Sequence, residues 1–198
     1  MENTPITLES QIQNHEFDLY DPKNDKSYKK MFSEYEGKRV ILAFYPADFT
    51  FVCPTELKDL SKVYGKIIEC NAELFVVSTD TIFSHKRWIE TESLLKDFNI
   101  PMISDRTGEL TKYFNIRNNT TGNAERGTFI ISPKGILKSI EITTEPLGRS
   151  AQELLRKIQA LDFIENNPGH ACPASRNIGL KTLKPSLDIA GKIGEELE

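Results

Sequence analysis

The chain has 198 residues, of which 38% are hydrophobic and 27% charged, and its net charge is −4. This suits one ordinary globular domain with its own core and argues against nucleic acid as a partner, since no basic run stands clear of the mixed charges around it. No apolar stretch approaches the ~18 residues of a membrane span, and the polar start Met1-Glu2-Asn3-Thr4 lacks a signal-peptide core, so a cytoplasmic protein without membrane contact is expected.

The run Arg39-Val40-Ile41-Leu42-Ala43-Phe44-Tyr45 is β-branched and aromatic without alternation, the pattern of a central strand covered on both faces. Pro46 ends it. Over residues 56–68 the apolar side chains Leu57, Leu60, Val63, Tyr64, Ile67 and Ile68 recur at spacings of three and four, predicting a helix with one buried stripe. Lys58, Lys62 and Lys66 form its solvated face. The helix start has two readings: a cap at Thr50, or one nearer Cys53 with Pro54 as the first helical residue and Glu56 in the favourable third position. Residues 73–78 read as a second buried strand. A helix over 84–98 follows, capped by Ser84 and carrying Trp88, Leu94, Leu95 and Phe98. Next come a short strand at 101–104, a helix at 107–114 and a hydrophilic loop at 117–123. Strands at 128–132 and 136–142 flank the hairpin signal Pro133-Lys134-Gly135, and a helix at 150–163 is capped by Ser150. Everything after Pro168 reads as an arm. Alternating strands and helices make an α/β sandwich with a mixed sheet, and no internal repeat interrupts it.

Cys53 lies where the first apolar strand turns into a helix. Either reading of the helix start sets the sulfur against unpaired N–H groups and the positive end of the helix dipole, which stabilise a thiolate over a thiol. The Thr50 hydroxyl, three residues earlier, can accept from the thiol and donate to a bound oxyanion or peroxide oxygen. A buried structural cysteine is the competing reading, because free cysteine is among the most buried residue types. Three cysteines in a chain without an export signal do not form a disulfide framework, so redox chemistry is the better reading. Zinc is not expected, since Cys53, Cys70 and Cys172 contain no close pair and His15, His85 and His170 show no ligand grouping. Nor is there a Cys-x-x-Cys, so a second reacting thiol must come from far along the chain or from another subunit. Cys70, at the end of the first long helix, reads as a packing residue.

The segment Pro46-x-x-x-Thr50-x-x-Cys53-Pro54-Thr55-Glu56 resembles the active-site motif of the peroxiredoxins. Val76-Val77-Ser78-Thr79-Asp80, Ser84-His85-x-x-Trp88, Glu125-Arg126-Gly127-Thr128-Phe129-Ile130-Ile131 and His170-Ala171-Cys172-Pro173-Ala174 agree with it. The ending Leu183-Lys184-Pro185-Ser186-Leu187-Asp188-Ile189-Ala190-Gly191-Lys192 is similar to that of the typical 2-Cys peroxiredoxins of the bacterial alkyl hydroperoxide reductase type. The resemblance implies a thioredoxin-like fold, with a peroxidase domain over 1–166 and a C-terminal arm over 167–198. It implies Cys53 as the thiol that attacks hydrogen peroxide or an alkyl hydroperoxide, with no cofactor and no metal. Pro46, Thr50 and Arg126 would form the site, and Glu56 and Arg149 would support it. An arginine before a strand is usually only solvated; the match to the family's active-site arginine reverses that reading for Arg126. Cys172, 119 positions after Cys53 (172 − 53), would be the resolving thiol of the other subunit in a homodimer, itself part of a ring of five dimers. A flavoprotein disulfide reductase or a thioredoxin-type protein would reopen the disulfide.

Two departures stand out. The aromatic residue that usually follows the resolving Cys-Pro is replaced by Ser175-Arg176-Asn177. The chain also lacks the Gly-Gly-Leu-Gly and Tyr-Phe markers of overoxidation-sensitive eukaryotic forms, and with no Phe, Tyr or Trp after Phe163 a weakly held tail is expected. The residues alone leave three activities open: a thiol peroxidase, a thiol–disulfide oxidoreductase that does not use peroxide, and a non-enzymatic holdase or scaffold. The resemblance favours the first.

Overall fold

A computed structural model describes residues 6–197, so the start read at Met1 to Thr4 lies outside the described residues. Contacts divide the chain into two units, residues 1–151 and 152–198.

The first unit is built on one mixed sheet. Its strands are β1 (Glu16–Asp21), β2 (Lys26–Met31), β3 (Arg39–Phe44), β4 (Ala72–Ser78), β5 (Met102–Ser104), β6 (Arg126–Ile131) and β7 (Leu137–Thr143). They lie in the order β2-β1-β5-β4-β3-β6-β7. β3 pairs parallel with β4 and β4 with β5, while the remaining pairs are antiparallel. β3 and β6 are buried at every position, as expected of strands covered on both faces. Val40, Leu42 and Phe44 share one sheet face with Phe75, Val77, Phe129 and Ile131, and these residues form the main apolar cluster. Strand alternation turns Arg126, Thr128 and Ile130 to the other face.

Helix α1 (Cys53–Glu69) lies on β4 and buries Leu57, Leu60, Val63 and Ile67 of the predicted stripe, while Tyr64 is half-buried and Ile68 is exposed, as are Lys58, Lys62 and Lys66. Its start differs from both readings. Val52 is the capping position and makes no side-chain bond, Cys53 is the first helical residue, and Pro54 follows it. Thr50 is not the cap, because its hydroxyl donates to the Ala47 carbonyl at 2.8 Å. Further on, α2 spans Ile82–Thr91, and a 3-10 turn, Ser93–Leu95, replaces the rest of the expected helix. The cap is Thr81, whose hydroxyl accepts from Ser84 N–H, so Ser84 is inside the helix. Glu92 adopts an extended conformation and breaks the run there. Helix α3 is only Glu109–Tyr113; Asp105 accepts from the N–H groups of Leu110 and Thr111 and so delays its start.

Ala151 begins α4 (Ala151–Asn166), whose first N–H donates to Asp59 Oδ2 at 3.0 Å. The remainder of α4, the arm beyond it and the short α5 (Ile193–Leu197) belong to the second unit. Among the described residues, no helix is long and apolar enough to cross a membrane.

Candidate active site

The loop between β3 and α1 is held from beneath by a buried polar network. Asp48 accepts from the Tyr45 hydroxyl at 2.7 Å and from His85 Nδ1 at 2.9 Å, while its own N–H donates to Asp80 Oδ2 at 2.8 Å. Ser78 Oγ donates to the same Asp80 oxygen. Phe49 then enters the left-handed region at φ 57°, a conformation that a bulky residue adopts only when its surroundings impose it. The chain thereby turns sharply toward Thr50 and the helix start. Pro46 is buried in this loop.

Cys53 has no solvent exposure. Arg126, the first residue of β6, donates from Nη1 to Cys53 Sγ at 3.4 Å and to Glu56 Oε2 at 2.6 Å. Its Nε donates to the Glu145 carbonyl at 2.6 Å. Arg149 grips Glu56 from the other side through its backbone N–H (2.7 Å), Nε (2.9 Å) and Nη2 (3.2 Å). Gly148 allows this approach, since a Cβ there would meet Val52 Cγ1 at 3.3 Å and Glu56 Cγ at 3.7 Å. Two guanidinium groups and one carboxylate sum to +1, and an anionic sulfur at Cys53 would neutralise the cluster. Burial opposes the Arg126 charge, yet its bond to Cys53 and the nearby Glu56 carboxylate outweigh that and raise its pKa above the ordinary value.

Burial also opposes the Glu56 charge, but the bonds and charge of Arg149, with the charge of Arg126, hold its carboxyl below the ordinary 4.5. Since the folded value lies below the unfolded one, Glu56 contributes stability that is complete above the unfolded value. It is lost as pH falls through the depressed folded value. Asp105 and Glu73, both raised by burial, act in the opposite sense and lose their contribution as pH rises through their folded values. Breaking a buried ion pair costs about 3–5 kcal/mol, so Glu56→Gln should be destabilised by that order at neutral pH. Its unfolding free energy should approach that of the wild type as pH falls through the depressed folded value of Glu56. Chemical denaturation across pH checks this; two parallel curves would remove Glu56 from the network.

The structure thus gathers Cys53, Glu56, Arg126 and Arg149 into one bonded cluster. Thr50 is close in the chain, but its hydroxyl points to Ala47 and makes no bond with the thiol in this conformation. The N–H groups of Thr55 and Glu56 turn back to the Val52 carbonyl, so they are not the free donors expected at the helix start. One contributor escapes sequence reasoning: Thr128 Oγ1 accepts from Arg149 Nη1 at 3.0 Å. Its place two residues after Arg126 on the same strand face was the available signal.

Cys172 lies in the second unit, half-buried, with its thiol 3.7 Å from the Ala160 carbonyl of α4. Ala171 exchanges backbone bonds with Leu183 at 2.8 and 3.0 Å, and His170 Nδ1 sits 2.8 Å from Thr182 Oγ1. Arg176 is buried at 7% exposure, with its guanidinium 4.2 Å above the Phe163 ring. Its Nε has no hydrogen-bond partner. A desolvated cation–π contact contributes about 2 kcal/mol or more, and the unmatched buried donor, at about 1–3 kcal/mol, offsets much of it, so the net grip is weak. The arm thus meets α4 through a weak contact at Arg176, in the Ser175-Arg176-Asn177 segment whose lack of an aromatic residue left its packing open.

A buried cysteine at a helix start, bonded to a guanidinium beyond the carboxyl end of a central strand, defines a thiol-active protein of thioredoxin-like fold. The AhpC/TSA family model matches residues 13–140. An alkyl hydroperoxide reductase C from Ferdinandcohnia aciditolerans is 46% identical over 159 residues, covering 80% of this chain and 95% of that protein. Among solved structures, Enterococcus faecalis AhpC is similar with a TM-score of 0.79 and 36% identity, covering 84% of this chain and 98% of that one. The reduced Plasmodium vivax 2-Cys peroxiredoxin gives a TM-score of 0.89 at 28% identity over 96% of this chain and 100% of that one. The chain belongs to the AhpC/TSA family of peroxiredoxins.

Proposed function

We propose that this protein is a thiol peroxidase that reduces hydrogen peroxide and alkyl hydroperoxides through Cys53. The observation that carries the reading is the Arg126 guanidinium against a fully buried Cys53 sulfur, with Glu56 and Arg149 fixing its orientation. The Cys53 thiolate attacks the distal peroxide oxygen. An S–O bond forms as the O–O bond breaks, the leaving oxygen takes a proton and departs as alcohol or water, and Cys53 becomes a sulfenic acid. Negative charge moves from sulfur to the leaving oxygen. Arg126 is placed to hold that charge, while Thr50, after rotating its hydroxyl from Ala47, supplies a second donor and Pro46 screens the loop from water. Full burial of Cys53 favours a small peroxide over a protein disulfide as the oxidant, which weighs against an oxidoreductase that does not use peroxide.

The arm from residue 167 onward supplies the resolving thiol, Cys172. It attacks the sulfenic sulfur, an S–S bond replaces the S–O bond, and the hydroxyl leaves as water with the proton of the Cys172 thiol. An external dithiol, a flavoprotein disulfide reductase or a thioredoxin-type protein, then returns two electrons and two protons. We place Cys172 in trans, in a homodimer that assembles further to a decamer in the cytoplasm. Support for a dimer comes from the sheet edges. β2 is exposed at five of six positions and carries Lys26, Lys29 and Lys30, which discourage strand addition, whereas β7, with one lysine, Lys138, presents an exposed Ile142. Peroxide-treated protein should run as a disulfide-linked dimer on a non-reducing gel, and Cys53→Ser or Cys172→Ser should each remove the fully bridged species. A bridged monomer would overturn the assignment in trans. Peroxide consumption by the reduced protein tests the function itself, and disulfide transfer without peroxide consumption would defeat it.

A further inference from the structure

Three sets of contacts keep the Cys172 segment in place within the second unit, and they differ in strength. The pairing of Ala171 with Leu183 and the contact between His170 and Thr182 tie the segment to the chain that follows. The thiol itself has a long contact with the Ala160 carbonyl and lies within reach of the Arg156 charge on the same helix. The third set converges on one ring of α4: His170 meets the edge of Phe163 at a centroid distance of 5.7 Å, and Arg176 covers its face at 4.2 Å. Residues two before and four after Cys172 therefore sit on the same aromatic side chain.

Arg176 is the unusual member, because a cation with an unmatched donor occupies a buried position against an aromatic face. Its attraction to the ring is offset by the unmatched Nε–H. An apolar ring there would gain burial and stacking without that penalty. We propose that Arg176 is a positioning residue for the resolving step: stacked on Phe163, it holds Cys172 on α4 with a grip weak enough to release within one turnover. The proposal rests on Cys172 being the resolving thiol. It predicts that a stronger stack slows disulfide formation and a lost stack speeds it, while attack on peroxide at Cys53 is untouched. The bond changes are those of the resolving step given above, with no reactant added.

The test compares Arg176→Phe, Phe163→Leu and Arg176→Lys with wild type in single turnovers. Quenched-flow mass spectrometry follows sulfenic acid, disulfide and sulfinic acid at Cys53. Arg176→Phe should slow disulfide formation by about three- to tenfold, the span of an aromatic pair's stabilisation, and accumulate more sulfinic acid at the same peroxide concentration. Phe163→Leu, and Arg176→Lys with its charge but no planar face, should speed the step. The sulfenic acid should form at the wild-type rate throughout. Amide hydrogen exchange over residues 170–183 of the reduced proteins gives a readout independent of activity, with slower exchange in Arg176→Phe and faster exchange in the other two. Changes in the same direction for all three variants, or rates and exchange all within twofold of wild type, would overturn the proposal. Cys172→Ser in the same assay separates the two ideas: a Cys53 disulfide still forming at the wild-type rate there refutes the resolving assignment, whereas the exchange data still judge the grip of Arg176.

Discussion

Cys53→Ser should abolish catalytic peroxide reduction, lowering the rate on the order of 10³-fold or more, as expected when a nucleophile that acts within a tuned site is removed. A serine hydroxyl cannot supply the anionic sulfur that the +1 cluster of Arg126, Arg149 and Glu56 is arranged to balance. The fold should survive, because serine is nearly isosteric and its oxygen can take the bond that Arg126 Nη1 gives to Sγ. Cys172→Ser should behave differently, retaining one fast oxidation per subunit and losing only turnover. Cys70→Ser should leave both phases intact, since Cys70 sits at the far end of α1 as its C-terminal cap. Trp88 offers the signal, with its ring 6.3 Å from Phe49 of the active-site loop and 5.8 Å from Tyr45. Wild-type turnover by Cys53→Ser would mean that another group attacks the peroxide.

The parts of the fold that were legible are those in which burial imposes a period. β3 and β4 are continuous apolar runs because both faces are covered, and Leu57, Leu60, Val63 and Ile67 mark the single buried stripe of α1. β1 and β2 left no comparable mark. β1 buries Phe17 and Leu19 in a six-residue strand, and β2 is a lysine-rich edge with no apolar face to show. Helix ends were missed where a neighbour outcompeted the nearest polar residue: Thr81 caps α2 in place of Ser84, and Thr50 bonds to Ala47 in place of the helix. The extended Glu92 ends α2 although the apolar spacing continues through Leu95 and Phe98, because both remain buried across the turn.

In the candidate site, residue types were legible in the sequence, whereas the support of Arg126 by Glu56 and Arg149, which the structure shows, was expected with help from the family resemblance. The Cys53 motif and Arg126 can be found in the sequence, but Glu56 and Arg149 lie 93 positions apart and meet only because the segment after β7 folds back over the start of α1. Thr128 shows the same limit: its place two residues after Arg126 marks the face it shares, but not the guanidinium from which it accepts. The aromatic-free tail over 187–197 is exposed almost throughout, as its composition suggests. The guanidinium of Arg176 buried on Phe163 is a contact that hydrophobicity does not reveal.

Arg126→Ala should slow the reaction of Cys53 with peroxide by about 10²–10³-fold, the usual cost of removing a preorganised donor from a site where charge develops. Loss of an arginine that was merely solvated would change little, and Arg126 is 2% exposed with bonds to Sγ, Glu56 and the Glu145 carbonyl. The variant should nonetheless remain folded. Removing one partner of a buried pair is most damaging when it leaves the other charge alone, and here Glu56 keeps three bonds from Arg149. Arg126→Lys should fall between the variant and wild type, because an ammonium restores the charge but cannot reach the sulfur, the carboxylate and the carbonyl through a planar fork. Stopped-flow oxidation of the reduced proteins gives the rates, and thermal unfolding with thiol titration shows whether the fold and the three free thiols are retained. A near-normal rate in folded Arg126→Ala would return this arginine to a purely structural role and leave the leaving oxygen's charge to Thr50.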